Sequence, residues 1–372
     1  MLAARYDHKH HSRSLFPLTR ARQQAIADLA RKRAAGIYTE EEAPCPCGAN
    51  NDELLAARER WDIPMQTVIC RQCGIIRTNP RLDDASWKAF YTHEYPHIHA
   101  HPAFAFSQDT ARYYPFLHQR EYHRAHHIDR FIAEALKNEP PPGRPHPVLL
   151  DIGTGTGGMM TFYAQKNWQV HGCDYDEGAV AHARERRLDI TLGGPMTRLH
   201  QQPPADLVLL SHVLEHVTDA HAYLDTIASL IRPGGYLYIE LPGVLQISAK
   251  RYANDFLRYL RIFHTFSFSK CTLQNLLESH GFTLVTGNEF IKTLFRYTGQ
   301  ATKVMQPRPN DYSVIKDHIL RAEHRRLLTA PYAKIYESLR QHRSHLAQPI
   351  IALGLKKPVK RLLQRLGYQD LE

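Results

Sequence analysis

Chemistry in this sequence concentrates in three places. The first is the stretch VLLDIGTGTGGMM at residues 148–160. Four apolar residues, Val148, Leu149, Leu150 and Ile152, flank Asp151, and Gly153, Gly155, Gly157 and Gly158 follow at once. Such a run reads as a buried parallel strand, and the glycines as a tight strand-to-helix turn. Glycine serves there because a side chain would hold the backbone away from a bound ligand, and because such turns often need positive φ. The helix expected next, about residues 158–167, would aim its N-terminal amides at that ligand.

The second place is a pair of cysteine turns. Cys45 and Cys47 lie in PCPCGAN, and Cys70 and Cys73 in VICRQCGII, with twenty-two residues between the pairs and a glycine after each. Four thiolates delivered on two local turns are the usual way to build a closed tetrahedral zinc site. A small module with little core of its own needs such a staple. Cys70 and Cys73 form the C-x-x-C-G knuckle; the first pair has a single intervening residue. Free or redox-active thiols are the alternative, and one of His93, His97, His99 or His101 could replace a cysteine. The third place is a set of histidines: His212 and His216 in SHVLEHV, with Glu215 between them, and His264 in RIFHTFSFS. Histidine is the usual general base near neutral pH.

The elements that must position these residues alternate. Residues 168–172 (WQVHG) read as a second strand ending at Asp174, 177–187 as a helix, and 205–210 (ADLVLL) as a strand. A helix over 220–231 stops at Arg232-Pro233-Gly234-Gly235, and 236–241 is the next strand. A helix over 271–280 then leads to FTLVTGNEF and IKTLFRYT, a closing antiparallel pair. Repeated strand–helix units predict an α/β, Rossmann-like doubly wound sheet, mostly parallel. Ligands in such sheets lie beyond the strand carboxyl ends at the switch point, where the glycine turn, Asp174 and residues 211–216 converge. Asp174 lies twenty-one residues after Gly153. It is placed to bind both ribose hydroxyls of a nucleoside cofactor. Gly153, Gly155 and Gly158 also satisfy G-x-G-x-x-G, which leaves a nicotinamide dinucleotide open.

Asp151 ahead of the glycines, HVLEHV after the fourth strand and IRPGGYLYIELPG at the fifth resemble class I S-adenosylmethionine-dependent methyltransferases, across roughly residues 148–296. The resemblance implies that Asp151 and the turn of Gly153, Thr154, Gly155 and Gly157 hold the aminocarboxypropyl part of the cofactor. Asp174 would hold the ribose and Tyr175 would pack on adenine, with Ser211 and His212 near the methyl donor. LGGPM stands where an acid often meets the adenine amino group. The cysteine module with VICRQCGIIRTNPRL is similar to a subfamily with a zinc ribbon ahead of the methyltransferase domain. Members often accompany sugar or surface-polysaccharide biosynthesis, and some methylate nucleotide sugars at carbon. Residues 255–269 resemble the tyrosine- and histidine-bearing segment of sugar carbon-methyltransferases, with Phe263 in place of the acid expected beside the histidine. On that likeness His264 is the favoured base or acceptor contact, with His212 and His216 as competitors. SHVLEH lacks the N/D-P-P-Y motif and the Pro-Cys pair of two nucleic-acid reactions, which argues against those acceptors.

A chain of 372 residues, 43% hydrophobic, suggests several units with a proper core. The expected division is a helical arm (1–42, helix about 18–35), a zinc-ribbon-like module (43–105), the methyltransferase domain (106–300) and a basic helical extension (301–372). A long helix is expected over 108–137, interrupted near Pro115, and one or two helices over 311–345, broken near Pro331. Of the net charge of +10, +8 falls in residues 301–372, with fourteen Lys/Arg against six Asp/Glu. That placement weakens any reading of the catalytic body as a nucleic-acid surface. Leu355, Val359, Leu362, Leu363 and Leu366 share one helical face and Lys356, Lys357, Lys360, Arg361 and Arg365 the other. Such a helix packs on its own domain, or lies on a protein partner or an anionic membrane surface. With no long apolar run and no signal-peptide core, the expected location is the cytoplasm or its inner membrane surface. The expected partner is a small-molecule or glycan acceptor. Two other classes stay in view: a non-catalytic scaffold using the zinc module and tail for partners, and a nicotinamide-dependent oxidoreductase.

Overall fold

Thr19 accepts a hydrogen bond from the Arg22 amide and Gly36, at φ 68°, ends the turn that follows, so the arm helix α1 runs Arg20–Ala34. The computed structural model describes residues 1–10, 13–99, 110–139, 144–196, 199–249 and 251–341. After α1 come the short β1 (Glu40–Glu41), then β2 (Asp52–Arg58), β3 (Pro64–Cys70) and β4 (Ile76–Thr78), then β5 (Arg81–Leu82), which pairs with β1. Helices α2 (Asp84–His93), α3 (Tyr95–His99) and α4 (Thr110–Ala135) lead to the main sheet.

In that sheet β6 (Val148–Ile152), α5 (Gly158–Ala164), β7 (Gln169–Asp174), α6 (Glu177–Glu185), β8 (Ile190–Leu192), β9 (Ala205–Ser211), α7 (Ala220–Leu230) and β10 (Ile231–Glu240) follow in turn. The chain then passes α8 (Phe256–Tyr259), β11 (Phe266–Ser267) and α9 (Lys270–Ser279) to the hairpin β12 (Phe282–Gly287) and β13 (Lys292–Tyr297), and ends in α10 (Asp311–Gln341). Seven strands align as β12–β13–β10–β9–β6–β7–β8. The five from β10 to β8 are parallel, and β13 runs antiparallel against β10. All five residues of β6 are buried, as a central strand covered on both faces must be. The doubly wound sheet is therefore the observed architecture.

One face of the sheet packs Leu149, Leu207 and Leu209 against Ala125, Ile128 and Ile132 of α4. The other packs Leu150, Val208 and Leu210 with α7 and α9, and the buried Cys45, Cys70 and Cys73 join this core. A second core has no counterpart in the linear division of the chain. Tyr6 and Leu29 from the arm, Ile69 and Ile76 from the cysteine module, Phe256 and Phe263 from the segment after β10, and Ile315 and Ile319 from α10 all meet in it. The same mixing occurs in the smaller sheet, ordered β11–β4–β3–β2, where Phe266 pairs with Arg77 and Ser267 with Ile76.

Three elements differ from expectation. Helix α4 runs through Pro115 without a break. Proline removes one amide hydrogen bond near the helix start, and the apolar face beyond it holds the axis. Strand β10 begins at Ile231 and takes Arg232–Gly235 in as an irregularity, with Gly234 at φ 76°. Helix α10, one of the two arrangements expected after 311, runs to Gln341 without the break expected near Pro331. The amphipathic stretch 355–366 and His101 lie outside the described residues. Among those residues no helix is long and apolar enough to cross a membrane.

Candidate active site

The glycine turn, Asp174 and the end of β9 meet at the carboxyl edge of the sheet. Gly153, Gly155 and Gly157 all have positive φ (72°, 60° and 76°). Thr154 Oγ1 donates to Asp151 Oδ2 at 2.5 Å, which pins the turn to the strand it leaves. Asp174 reaches across from β7: its Oδ2 accepts from the Gly155 amide at 2.7 Å and its Oδ1 from the Asp176 amide at 2.9 Å. A Cβ at Gly153 would lie 2.5 Å from Val213 Cγ2, so the chain after β9 closes directly over the turn. Tyr175, 67% exposed, lies beside Gly194 of LGGPM, where an added Cβ would meet its hydroxyl at 2.5 Å. Ser211 Oγ is buried with no partner, a polar atom facing the same edge.

A residue that the sequence reading missed completes this end. Glu121, on α4, accepts from Thr156 Oγ1 at 2.6 Å and from the Gly158 amide at 3.3 Å. A Cβ at Gly155 would lie 2.7 Å from Glu121 Oε1, and one at Gly158 would lie 2.3 Å from the His118 carbonyl. Glycine is needed at 158 because α4 crosses α5 at backbone contact. Three carboxyl groups therefore crowd the turn. Burial pushes Asp151 and Glu121 up to about 7, and burial also raises Asp174. Such a site is short of positive charge and is suited to a cation. Nothing in a local pattern marks Glu121, because its partners come from a turn thirty-five residues away.

The histidines meet around Glu215, which is 1% exposed. His212 Nδ1 lies 3.1 Å from Glu215 Oε1. Burial alone would raise the Glu215 carboxyl, but the His212 hydrogen bond and the charge of His216 hold it below the usual range. An ionised carboxylate only accepts, so His212 Nδ1 carries the proton and Nε2 is left as an acceptor. The His212 side chain is 40% exposed and its backbone is left-handed at φ 60°, a strained setting that clusters at functional sites. His216 is fixed differently: its Nδ1 donates to the Phe263 carbonyl at 2.7 Å, and its Nε2 lies 3.8 Å from Glu215 Oε1. His264 stacks edge-on to His216 at 5.1 Å but is only 8% exposed. Burial, with His216 and Arg261 beside it, pushes its pKa well below the usual value. Ligating atoms of Glu215, His216 and His264 lie within 4.8 Å of one another. The cationic Arg261 and Arg60 near His264 oppose a divalent ion there, so the cluster reads as proton-handling. Tyr91 and Tyr95, stacked at 4.1 Å, pack against His216 and Phe263 and wall this side.

The four cysteines converge as the spacing predicts. Sulfur–sulfur distances are 3.4 Å for Cys45–Cys73, 3.5 Å for Cys45–Cys47 and 3.6 Å for Cys47–Cys70, and none forms a disulfide. Each pair closes a turn on its glycine, with the Gly48 amide on the Cys45 carbonyl and the Gly74 amide on the Cys70 carbonyl. A tetrahedron of thiolates about 2.3 Å from a zinc ion has edges close to these distances. His93 and His97 sit on α2 and α3, apart from this cluster.

Residues 119–286 match the sequence family described as a methyltransferase domain. A probable S-adenosylmethionine-dependent methyltransferase of Mycolicibacterium smegmatis is 32% identical over 136 residues, 36% of this chain and 51% of its own. The ubiquinone biosynthesis O-methyltransferase of Caulobacter vibrioides is 36% identical over 99 residues, 24% of this chain and 39% of its own. The demethylmenaquinone methyltransferase of Beutenbergia cavernae is 35% identical over 98 residues, 26% of this chain and 41% of its own. The chain thus spans about half the length, or less, of these curated relatives. The family match begins inside α4, two residues before Glu121. The segment 119–286 is thus a methyltransferase domain by sequence, and the relatives that share it include a probable S-adenosylmethionine-dependent methyltransferase.

Proposed function

We propose that the protein transfers the methyl group of S-adenosylmethionine to a sugar, nucleotide-sugar or glycan-related acceptor with histidine assistance. The observation that carries the cofactor is the surplus of buried carboxyl groups on the glycine turn. S-adenosylmethionine brings an ammonium and a sulfonium, which Asp151 and Glu121 suit. A nicotinamide dinucleotide would bring its pyrophosphate onto the same carboxylates and be repelled. Asp174 is in reach of a ribose, and Tyr175 offers an exposed ring for adenine.

When bound, the cofactor supplies an electrophilic methyl carbon on sulfur. The chain's own residues must align the acceptor with it and remove a proton. Alignment accounts for much of the acceleration in such displacements. His212, oriented by Glu215, is the better placed base, because its free Nε2 belongs to a partly exposed ring at the end of β9. His264 and His216 support Glu215 from the buried side. Cys45, Cys47, Cys70 and Cys73 would hold a structural zinc ion. The sugar-type acceptor rests on the likeness of the cysteine module and of residues 255–269 to sugar methyltransferases. In the fold these two segments share one sheet through β11 and β4. The quinone-pathway relatives align with only about a quarter of this chain.

Calorimetry with S-adenosylmethionine and with NAD tests the cofactor: binding of the first alone is expected. Binding of NAD alone would turn the reading to an oxidoreductase, and binding of neither to a scaffold. Transfer of labelled methyl to nucleotide sugars, compared with hydroxylated quinones, then tests the acceptor. Labelling confined to the quinones would overturn the sugar reading.

A further inference from the structure

Arginines in the interior of this protein are paired with care. Arg5 meets Asp255 and Glu323, Arg58 meets Asp62, Arg77 meets Asp52, Arg124 meets Glu240 and Arg232 meets Asp206. Arg60 and Arg261 are the contrast. Both are half-buried, and the Nε of each is buried with no partner. Among the described residues neither pairs with a carboxylate. Among the described residues the one side-chain hydrogen bond of Arg60 goes to the Arg258 carbonyl at 3.5 Å.

The two guanidinium groups rest on one aromatic cluster. Arg60 lies 4.1 Å from the Trp61 ring centre and Arg261 lies 5.4 Å from that of Phe263, with the two rings 6.4 Å apart. Burial and the like charge of Arg261 push Arg60 down to about 9. The nearby Glu59 attracts both cations but forms no ion pair with either among the described residues. Its Oε1 accepts from the amides of Trp61 and Ile63, its Oε2 is unpartnered, and burial pushes the carboxyl up to about 7. Leaving two cations together in a partly dry interior costs stability that a bound anion would restore. A second observation lies on the Arg261 side of the pair, with Arg60 outside the lining. Thr67, Arg77, Arg261, His264 and Ser267 line a small cleft between the cysteine-module strands and the 260–267 segment, and Thr67 Oγ1 is buried there without a partner.

We propose that Arg60 and Arg261 form an oxyanion site that takes a phosphate or carboxylate group of the methyl acceptor. The carrier of the anion is identified as the acceptor through the methyltransferase reading; the anion site itself stands on the unpaired cations. His264 lines the cleft and contacts His216, which borders Glu215, so an anchored anion lies on the acceptor side of the histidine cluster. The site selects acceptors by charge, and a neutral sugar or quinone lacks the group that it takes.

The test uses the full chain at constant ionic strength, with inorganic phosphate, acetate and chloride as probes. Phosphate or acetate should raise the melting temperature and bind in calorimetry, whereas chloride should do neither. Arg261→Met and Arg60→Met should each weaken that binding about tenfold or more, as loss of a charge-assisted contact does. Arg261→Lys should keep most of it. In anion-free buffer Arg261→Met should melt higher than the parent, because an unpaired charge has gone. S-adenosylmethionine affinity, measured on the same samples, should stay within a few-fold and serves as the check on folding. Phosphate favoured over acetate assigns a phosphate-bearing acceptor, and the reverse assigns a carboxylate. No anion effect on the parent protein, or equal binding in both methionine variants, would overturn the proposal. Failure of the parent to bind S-adenosylmethionine would instead sink the methyltransferase reading and leave the anion result standing.

Discussion

Asp151 and Glu121 would ordinarily ionise at 3.8 and 4.5, and burial lifts both to about 7. A carboxyl raised in this way favours the folded state in acid, and that contribution is lost as pH rises through about 7. The ligand-free protein should therefore lose stability between about pH 4 and pH 7 through these groups and lose no more above that. The cationic cofactor should do the opposite, binding more tightly as the carboxyls ionise and releasing protons as it binds. Calorimetry in buffers of differing ionisation enthalpy measures both; a flat affinity and no proton release would remove the pair from the cofactor site. The histidines give a second prediction at this scale. His212→Ala should lower turnover by about two to four orders of magnitude, the usual worth of a general base. His264→Ala should lower it less. The reverse order would move the base to His264.

Among the elements, the crossing of α4 over α5 is the most sensitive to a single methyl group. Gly158→Ala puts a Cβ 2.3 Å from the His118 carbonyl and 2.8 Å from the Tyr122 amide. Overpacking of that kind costs about 1–3 kcal/mol. It should show as a melting temperature lower by several degrees and, because α4 carries Glu121, as weaker S-adenosylmethionine binding. Unchanged affinity in a destabilised variant would mean that α4 has no part in the cofactor end. The strands of the main sheet were legible beforehand, since each is an apolar run bounded by glycine or polar turns. The smaller sheet was not. Phe266 and Ser267 make a two-residue strand, too short for any periodicity, and it exists because β4 offers it an edge.

Over the whole molecule, the cysteine cluster joins elements from both cores. A Cβ at Gly74, φ 76°, would lie 2.9 Å from the Asp311 backbone, so the start of α10 sits directly on the second cysteine turn. Metal analysis should find about one zinc per chain for a four-cysteine site. Stripping it with a chelator should lower the melting temperature and expose α10 to proteolysis together, since binding free energy of such a site is folding free energy. Absence of metal with unchanged melting would leave four plain thiols.

What the sequence determined by itself was local. A five-residue apolar strand, glycines at positions of positive φ, an acid at the end of the next strand and paired cysteines on turns all follow from backbone preference within a few residues. Tertiary structure decided which charges are answered. It brought Glu121 onto the glycine turn, gave Glu215 to His212 while burying His264, and left Arg60 and Arg261 without an ion pair among the described residues. Desolvation and ion pairing depend on which distant segments pack together, and no spacing along the chain encodes that.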